Sequence, residues 1–214
     1  MNLVLISILA LVIAYLLGSV PSAFIIGKSR RGVDIRQVGS HNMGAMNTFY
    51  SVGFWWGMLV LAVDVGKGML GVAAAMWLHT PWYVPLLAGI MVLVGHNFPV
   101  FLKFKGGKGG ASMIGVLVIL MPWGFIVYPV LFGLLLLISR NPTISYGLTF
   151  LCFPFIAGFL YRAPVYHPPS YLVYSIIIFL FLIGRYVPRL REMLNKSKGD
   201  VKHVAMRRNL KDRL

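Results

Sequence analysis

Two short stretches concentrate the residue types that bind phosphate. Lys103-Phe104-Lys105-Gly106-Gly107-Lys108-Gly109-Gly110 sets three cations among four glycines. Glycines let successive backbone N–H groups converge on one point without Cβ clashes, and a neighbouring lysine brings charge to a cluster of anionic oxygens. Read alone, the stretch serves equally well as a basic connection that orients membrane spans. A second segment, Gly39-Ser40-His41-Asn42-Met43-Gly44-Ala45-Met46-Asn47, has the same small, hydrogen-bonding character with Arg36 just upstream, and the pair favours an anion site. Neither is a nucleotide signature. Gly39 and Gly44 have Walker-like separation, but Ala45-Met46 stands where Lys-Ser/Thr is required, and Lys108 is followed by Gly109 with leucine at position 102, which disfavours an ATPase.

The elements that must position these loops are membrane helices. The 214-residue chain is 58% hydrophobic and only 12% charged, too apolar for an ordinary soluble domain; its mean hydropathy is +0.81. The expected class is an all-α integral membrane protein. Runs near the length needed to cross about 30 Å of hydrocarbon number seven: Leu3 to Ile26, Phe49 to Leu78, Tyr83 to Leu102, Ala111 to Met121, Phe125 to Ile138, Ile144 to Leu160 and Tyr171 to Arg185. The fourth and fifth are short and separated only by Pro122-Trp123-Gly124, so one bent element is the alternative. The apolar N-terminus has no basic segment ahead of it, which suits a retained first span rather than a signal peptide. Residues 1–188 read as one transmembrane domain and 189–214 as a basic tail, in which Val201, Val204 and Leu210 suit a short amphipathic helix on anionic lipid.

Charge sets the expected orientation. Lys28, Arg30, Arg31, Arg36, Lys103, Lys105, Lys108, Arg140 and the tail fall on alternate connections, whereas the opposite connections hold Arg162 as their permanent cation. The positive-inside rule then puts both glycine loops and the C-terminus in the cytoplasm and the N-terminus outside. The net charge of +15 is thereby a topological signal rather than a nucleic-acid footprint, and no nucleic-acid partner is expected. The single cysteine, Cys152, lies in an apolar run and offers no disulfide framework.

Five motifs in order resemble one family. Gly18-Ser19-Val20-Pro21-Ser22, Asp34-Ile35-Arg36, the Gly39 to Asn47 loop, Gly95-His96-Asn97-Phe98-Pro99-Val100-Phe101 and Lys105-Gly106-Gly107-Lys108-Gly109 are similar to the bacterial acyl-phosphate:glycerol-3-phosphate acyltransferase family, PlsY. The resemblance covers most of the chain. It implies a seven-span enzyme of the bacterial plasma membrane with a cytoplasm-facing site. That enzyme moves a fatty acyl group from acyl phosphate to the 1-hydroxyl of glycerol 3-phosphate, giving lysophosphatidic acid in phospholipid biosynthesis. It implies no cofactor. The residues carried over are Ser40, Asn42 and Lys108 in catalysis. Arg36, Gly39, Gly44, Asn47, Gly106, Gly107 and Gly109 fall to phosphate binding, with a looser match at Arg140, Thr143 and Ser145. His96 and Asn209 are supporting residues. His41, Met46, Tyr50 and Met206 depart from the family pattern, and Tyr50 stands where the family carries an arginine, so a relative that only binds acyl phosphate also fits.

The residues agree with that reading on their own terms. Joining an acyl chain to a polar phosphate needs a lipid-open channel beside a cationic, hydrogen-bonding pocket, and an acyl phosphate is already activated, so orientation and charge stabilisation suffice. The acids Asp34, Asp64, Glu192, Asp200 and Asp212 form no triad with a histidine, and the scattered histidines have no metal-ligand spacing. Asp64 and Lys67 are three apart on one helix face and read as a structural ion pair. Ser19 and Pro21 read as a kink whose freed carbonyls a neighbour must meet. The alternative function is a transporter or binding protein for anionic phosphate compounds. A carrier would be expected to show internal repeats and broken helices in both halves, and no repeat is present.

Overall fold

The computed structural model describes residues 2–162, 173–181, 183–184 and 187, and within these not the side chains of 123–125, 142–143, 150, 153–154, 157–158 and 160–162. All regular structure among the described residues is helical: α1 (Leu3–Ser19), α2 (Ser22–Arg31), α3 (Ala45–Ser51), α4 (Phe54–Trp77), α5 (Val84–Asn97), α6 (Gly110–Leu120), α7 (Pro122–Ser139) and α8 (Pro142–Arg162), with 3-10 turns at Ile35–Gln37 and Val100–Leu102. A further helical run occupies 173–181. The chain forms two compact units, Met1–Val127 and Tyr128–Leu214.

Three stretches are long and apolar enough to cross a bilayer, Leu3–Arg31, Phe54–Trp77 and Val84–Leu102, and Gly110–Leu120 and Ile126–Ser139 are shorter apolar helices. Residues such as Val4, Ile8 and Val12 of α1 are exposed, as a lipid-facing helix requires. The expected first span, Leu3 to Ile26, is broken. Val20 leaves the helix at φ −57°, ψ 116°, because the residue before a proline is driven out of the α region. Its carbonyl is met by the Lys67 Nζ at 3.0 Å, the neighbour that the kink demanded. α2 then ends at Gly32, φ 66°, whose N–H returns to Lys28 O while Val33 N–H reaches Gly27 O, a left-handed cap that only glycine adopts without strain. The short fourth and fifth runs are separate helices, divided at Met121.

In the first unit, backbones approach closely at two crossings. A side chain on Gly18 would strike the Val92 backbone and one on Gly95 the Tyr15 carbonyl, so α1 meets α5 at close range. Gly68 against Ser112 and Gly115 against Val65 bring α4 onto α6 in the same way. Ala10, Ala14, Val60, Val72, Val92, Leu93, Met113 and Val116 fill the interior. A second apolar cluster of Ala23, Ile26, Ile35, Met43, Val52 and Val60, flanked by Phe24, Val38, Trp56 and Leu102, anchors the irregular chain between α2 and α4. In the second unit, Asn141 caps α8 by accepting from Ile144 N–H at 3.3 Å, with Pro142 in the first turn where its missing donor is harmless. The basic tail lies outside the described residues.

Candidate active site

The first loop is organised by one buried side chain. Asn47, 3% exposed, directs its Nδ2 at three carbonyls, Ile35 O at 2.8 Å, Val38 O at 3.0 Å and Asn42 O at 3.0 Å, while its Oδ1 accepts from Ser40 N–H at 2.9 Å and from Ser51 Oγ at 3.3 Å. By the family resemblance Asn47 is a phosphate ligand. Every polar atom of its amide instead faces the loop's own backbone, because a chain this irregular must satisfy its carbonyls somewhere. Gly39, at φ 58°, is there for the same reason, since a Cβ would collide with Asn47 Oδ1. Gly44 is an extended N-cap of α3, φ −158°, with Asn42 Nδ2 beside it.

Arg36 is likewise committed. Its guanidinium grips Asp34 through Nη2 to Oδ2 at 2.7 Å and Nε to Oδ1 at 3.0 Å, with its carbon 5.2 Å from the Phe24 ring centroid. Asp34 also accepts from Arg36 N–H at 3.0 Å, closing the 3-10 turn. The side-chain hydrogen bond from Arg36, helped by its charge, holds the Asp34 carboxyl below its ordinary value and raises Arg36 in turn. The expected free cation for phosphate is therefore half of a bidentate pair that shapes the loop. Ser40 and His41 stand exposed at the loop tip and Asn42 half-buried. His41 adopts φ 57°, and its Nδ1 lies 3.1 Å from Arg36 O.

The second loop hangs from the end of α5. Lys103 and Phe104 turn left-handed, at φ 52° and 60°, and the following amides run back to the helix: Phe104 N–H to Pro99 O at 3.0 Å, Gly106 N–H to Asn97 O at 3.1 Å and Gly107 N–H to His96 O at 3.1 Å. Gly106 and Gly107 were expected to cradle an anion with these donors. They serve close approach instead, since a Cβ on Gly106 would meet His96 O and one on Gly107 the His96 ring. The outward donors pass to the start of α6. Gly109, φ 86°, is its N-cap, and the first-turn amides follow directly on Lys108, where unpaired N–H groups and the helix dipole favour an anion. Gly109-Gly110 just before an apolar run was the signal for this helix start in the sequence. Lys108 is half-buried, whereas Lys103 and Lys105 are exposed.

The two loops touch. Gly107 packs against the Met43 carbonyl, with 2.5 Å left for any Cβ, which places the Ser40 to Gly44 turn beside the Gly107 to Gly109 turn. Beneath them is a buried polar group. Asp64 Oδ1 accepts from Ser22 Oγ at 2.7 Å and pairs with Lys67 Nζ at 2.8 Å, confirming the ion pair read from spacing. His96 Nδ1 lies 3.8 Å from the same oxygen and 3.2 Å from Ser112 Oγ.

The remaining expected residues belong to the second unit. Arg140 is exposed at φ 49° after α7. Ser145 is fully buried, its hydroxyl bonded to Asn141 O at 2.9 Å and Ser139 Oγ at 2.8 Å, where it closes the turn into α8. The Thr143 side chain and Asn209 lie outside the described residues.

Comparisons with known proteins converge. A family model described as glycerol-3-phosphate acyltransferase matches residues 8–196. Glycerol-3-phosphate acyltransferase 2 of Dehalococcoides mccartyi is 46% identical over 215 residues, covering 100% of both chains. Glycerol-3-phosphate acyltransferase of Bacillus subtilis is 36% identical over 194 residues, 91% of this chain and 97% of that one. The crystal structure of PlsY, an integral membrane glycerol 3-phosphate acyltransferase, in its glycerol 3-phosphate form matches with a TM-score of 0.77 at 30% identity, covering 89% of this chain and 92% of that one. Its lysophosphatidic acid form gives 0.76 at 28% identity.

Proposed function

The chain belongs to the glycerol-3-phosphate acyltransferase family of integral membrane enzymes, and from that premise we propose how its own residues divide the work. It transfers a fatty acyl group to the 1-hydroxyl of glycerol 3-phosphate in a bacterial membrane, giving lysophosphatidic acid. The donor is acyl phosphate. The observation that carries the assignment of residues is the contact of Met43 with Gly107, which sets two polar turns and the half-buried Lys108 around one place.

In this reading Lys108 and the first-turn amides of α6 hold phosphate oxygens, and Ser40 and Asn42 supply hydrogen bonds from the facing turn. The acceptor's hydroxyl oxygen bonds to the acyl carbon, the bond from that carbon to the phosphate oxygen breaks, and inorganic phosphate leaves. The hydroxyl proton passes to a substrate phosphate oxygen, which needs no protein base. Side-by-side positioning supplies most of the acceleration. By the positive-inside rule both turns face the cytoplasm, where glycerol 3-phosphate is dissolved.

The test is direct. Purified protein given labelled glycerol 3-phosphate and palmitoyl phosphate forms lysophosphatidic acid, and no product from folded protein would overturn the substrate assignment. Lys108→Ala loses about 100-fold or more in turnover, the scale set by removing one charge-stabilising donor, with an unchanged melting temperature. Near-native rates in that variant would remove Lys108 from the site.

A further inference from the structure

The mechanism above makes no use of His96, yet that residue lies where the two loops meet. Its carbonyl accepts from Gly107 N–H at 3.1 Å, tying it to the second loop. Its ring faces the first loop. A Cβ on Gly107 would strike His96 Nε2 on one side and the Met43 carbonyl oxygen on the other, so ring nitrogen and carbonyl flank the same point beside a residue that only glycine can fill. The imidazole is 3% exposed and cannot turn to water for a partner.

The opposite ring nitrogen is held from below. Nδ1 lies 3.2 Å from Ser112 Oγ in the first turn of α6. Asp64 Oδ1, at 3.8 Å, is beyond hydrogen-bonding reach of Nδ1 and is already taken by Ser22 Oγ at 2.7 Å and Lys67 Nζ at 2.8 Å. That leaves the Ser112 hydroxyl as the neighbour within hydrogen-bond distance of Nδ1. A Ser112 hydroxyl that donates to Nδ1 puts the ring proton on Nε2, the nitrogen beside Gly107. Which nitrogen is protonated follows from the bond that the other one makes.

Resting on the functional reading above, we propose that His96 is a positioning residue that clamps the two phosphate-binding turns together, its Nε2–H directed at the Met43 carbonyl and its tautomer fixed by Ser112. It touches neither substrate. It sets the separation between the Asn42 side of the pocket and the Lys108 side, the distance that decides whether acceptor and donor meet in line.

Three variants separate a clamp from a packing residue, because a glutamine amide reaches the position of Nε2 with an N–H, an asparagine amide reaches only that of Nδ1, and leucine offers neither. His96→Gln keeps kcat/KM for glycerol 3-phosphate within about fivefold of wild type, whereas His96→Asn and His96→Leu fall by about thirtyfold or more, the scale of a misplaced reactive group. Equal losses for Gln and Asn at matched melting temperatures would overturn the clamp. The second readout needs no turnover: nitrogen spectra of histidine-labelled wild-type protein, assigned with His96→Gln, show His96 protonated on Nε2 alone. A proton on Nδ1 instead would also overturn it. Failure of wild-type protein to make lysophosphatidic acid defeats the functional reading and leaves the tautomer measurement to judge the clamp.

Discussion

Asn47 offers the sharpest test of whether the first loop is built before substrate arrives. Asn47→Ala removes the acceptor for Ser40 N–H and the donors to Ile35 O, Val38 O and Asn42 O. At roughly 1 kcal/mol net per hydrogen bond, with two amide protons shared among three carbonyls, the closed loop loses about 2 to 4 kcal/mol. One tenfold change corresponds to about 1.4 kcal/mol, so the open population rises by about 30-fold to several hundredfold. The assay is amide exchange at Ser40 in protein without ligand, where protection falls by that factor, together with kcat/KM for glycerol 3-phosphate, which falls by about tenfold or more through lost preorganisation. Asn47→Asp keeps the acceptor for Ser40 but turns a second oxygen on three carbonyl oxygens, and it is at least as damaging. Wild-type protection at Ser40 in the alanine variant, combined with lost turnover, would refute the scaffold argument and return Asn47 to direct ligand contact.

Three further outcomes are expected. Because Arg36 lowers the Asp34 carboxyl, the pair's contribution is complete above the ordinary carboxylate range and is lost as pH falls through the lowered value in the folded protein; limited proteolysis of the 32–44 segment at falling pH shows this, and Asp34→Asn abolishes the pH dependence. Asp64→Asn strands a buried Lys67 and costs about 3 to 5 kcal/mol, read as a lowered melting temperature, and adding Lys67→Met recovers most of it. Gly68→Val drives a side chain into the Ser112 carbonyl and parts α4 from α6, so folded yield in detergent falls sharply, while Gly66→Ala, in open space, leaves it unchanged.

The membrane class, the two loops and the Asp64–Lys67 pair were legible because each has a one-dimensional signature: hydropathy, clustered glycine with lysine, and a three-residue helical spacing. The direction of individual hydrogen bonds was not. Asn47, Arg36, Gly106 and Gly107 look like phosphate ligands in sequence, since amides, guanidinium and glycine are what anions prefer. The protein itself has the same appetite, and here backbone carbonyls and amides take Asn47, Gly106 and Gly107 while the Asp34 carboxylate takes Arg36. The convergence of Met43 with Gly107 depends on how α2 and α3, packed on α4, carry the 32–44 segment to the end of α5, a tertiary outcome with no local signal. The break at Val20 was visible as Pro21, but its partner Lys67 lies 47 residues away.

The brevity of α6 has a consequence for the fatty donor. Its eleven residues rise about 16 Å, roughly half of the hydrocarbon thickness. In the proposed topology, with the Met121–Pro122 break toward the outer face, a helix this short would set the Lys108 turn within the cytoplasmic leaflet instead of above it. A sixteen-carbon tail raised fully into water would cost about 12 kcal/mol at about 0.8 kcal/mol per methylene. Under the proposed reaction, a pocket at that depth would spare the enzyme such an extraction: the donor would enter sideways with its chain still among its neighbours, and only the small, soluble acceptor would have to travel.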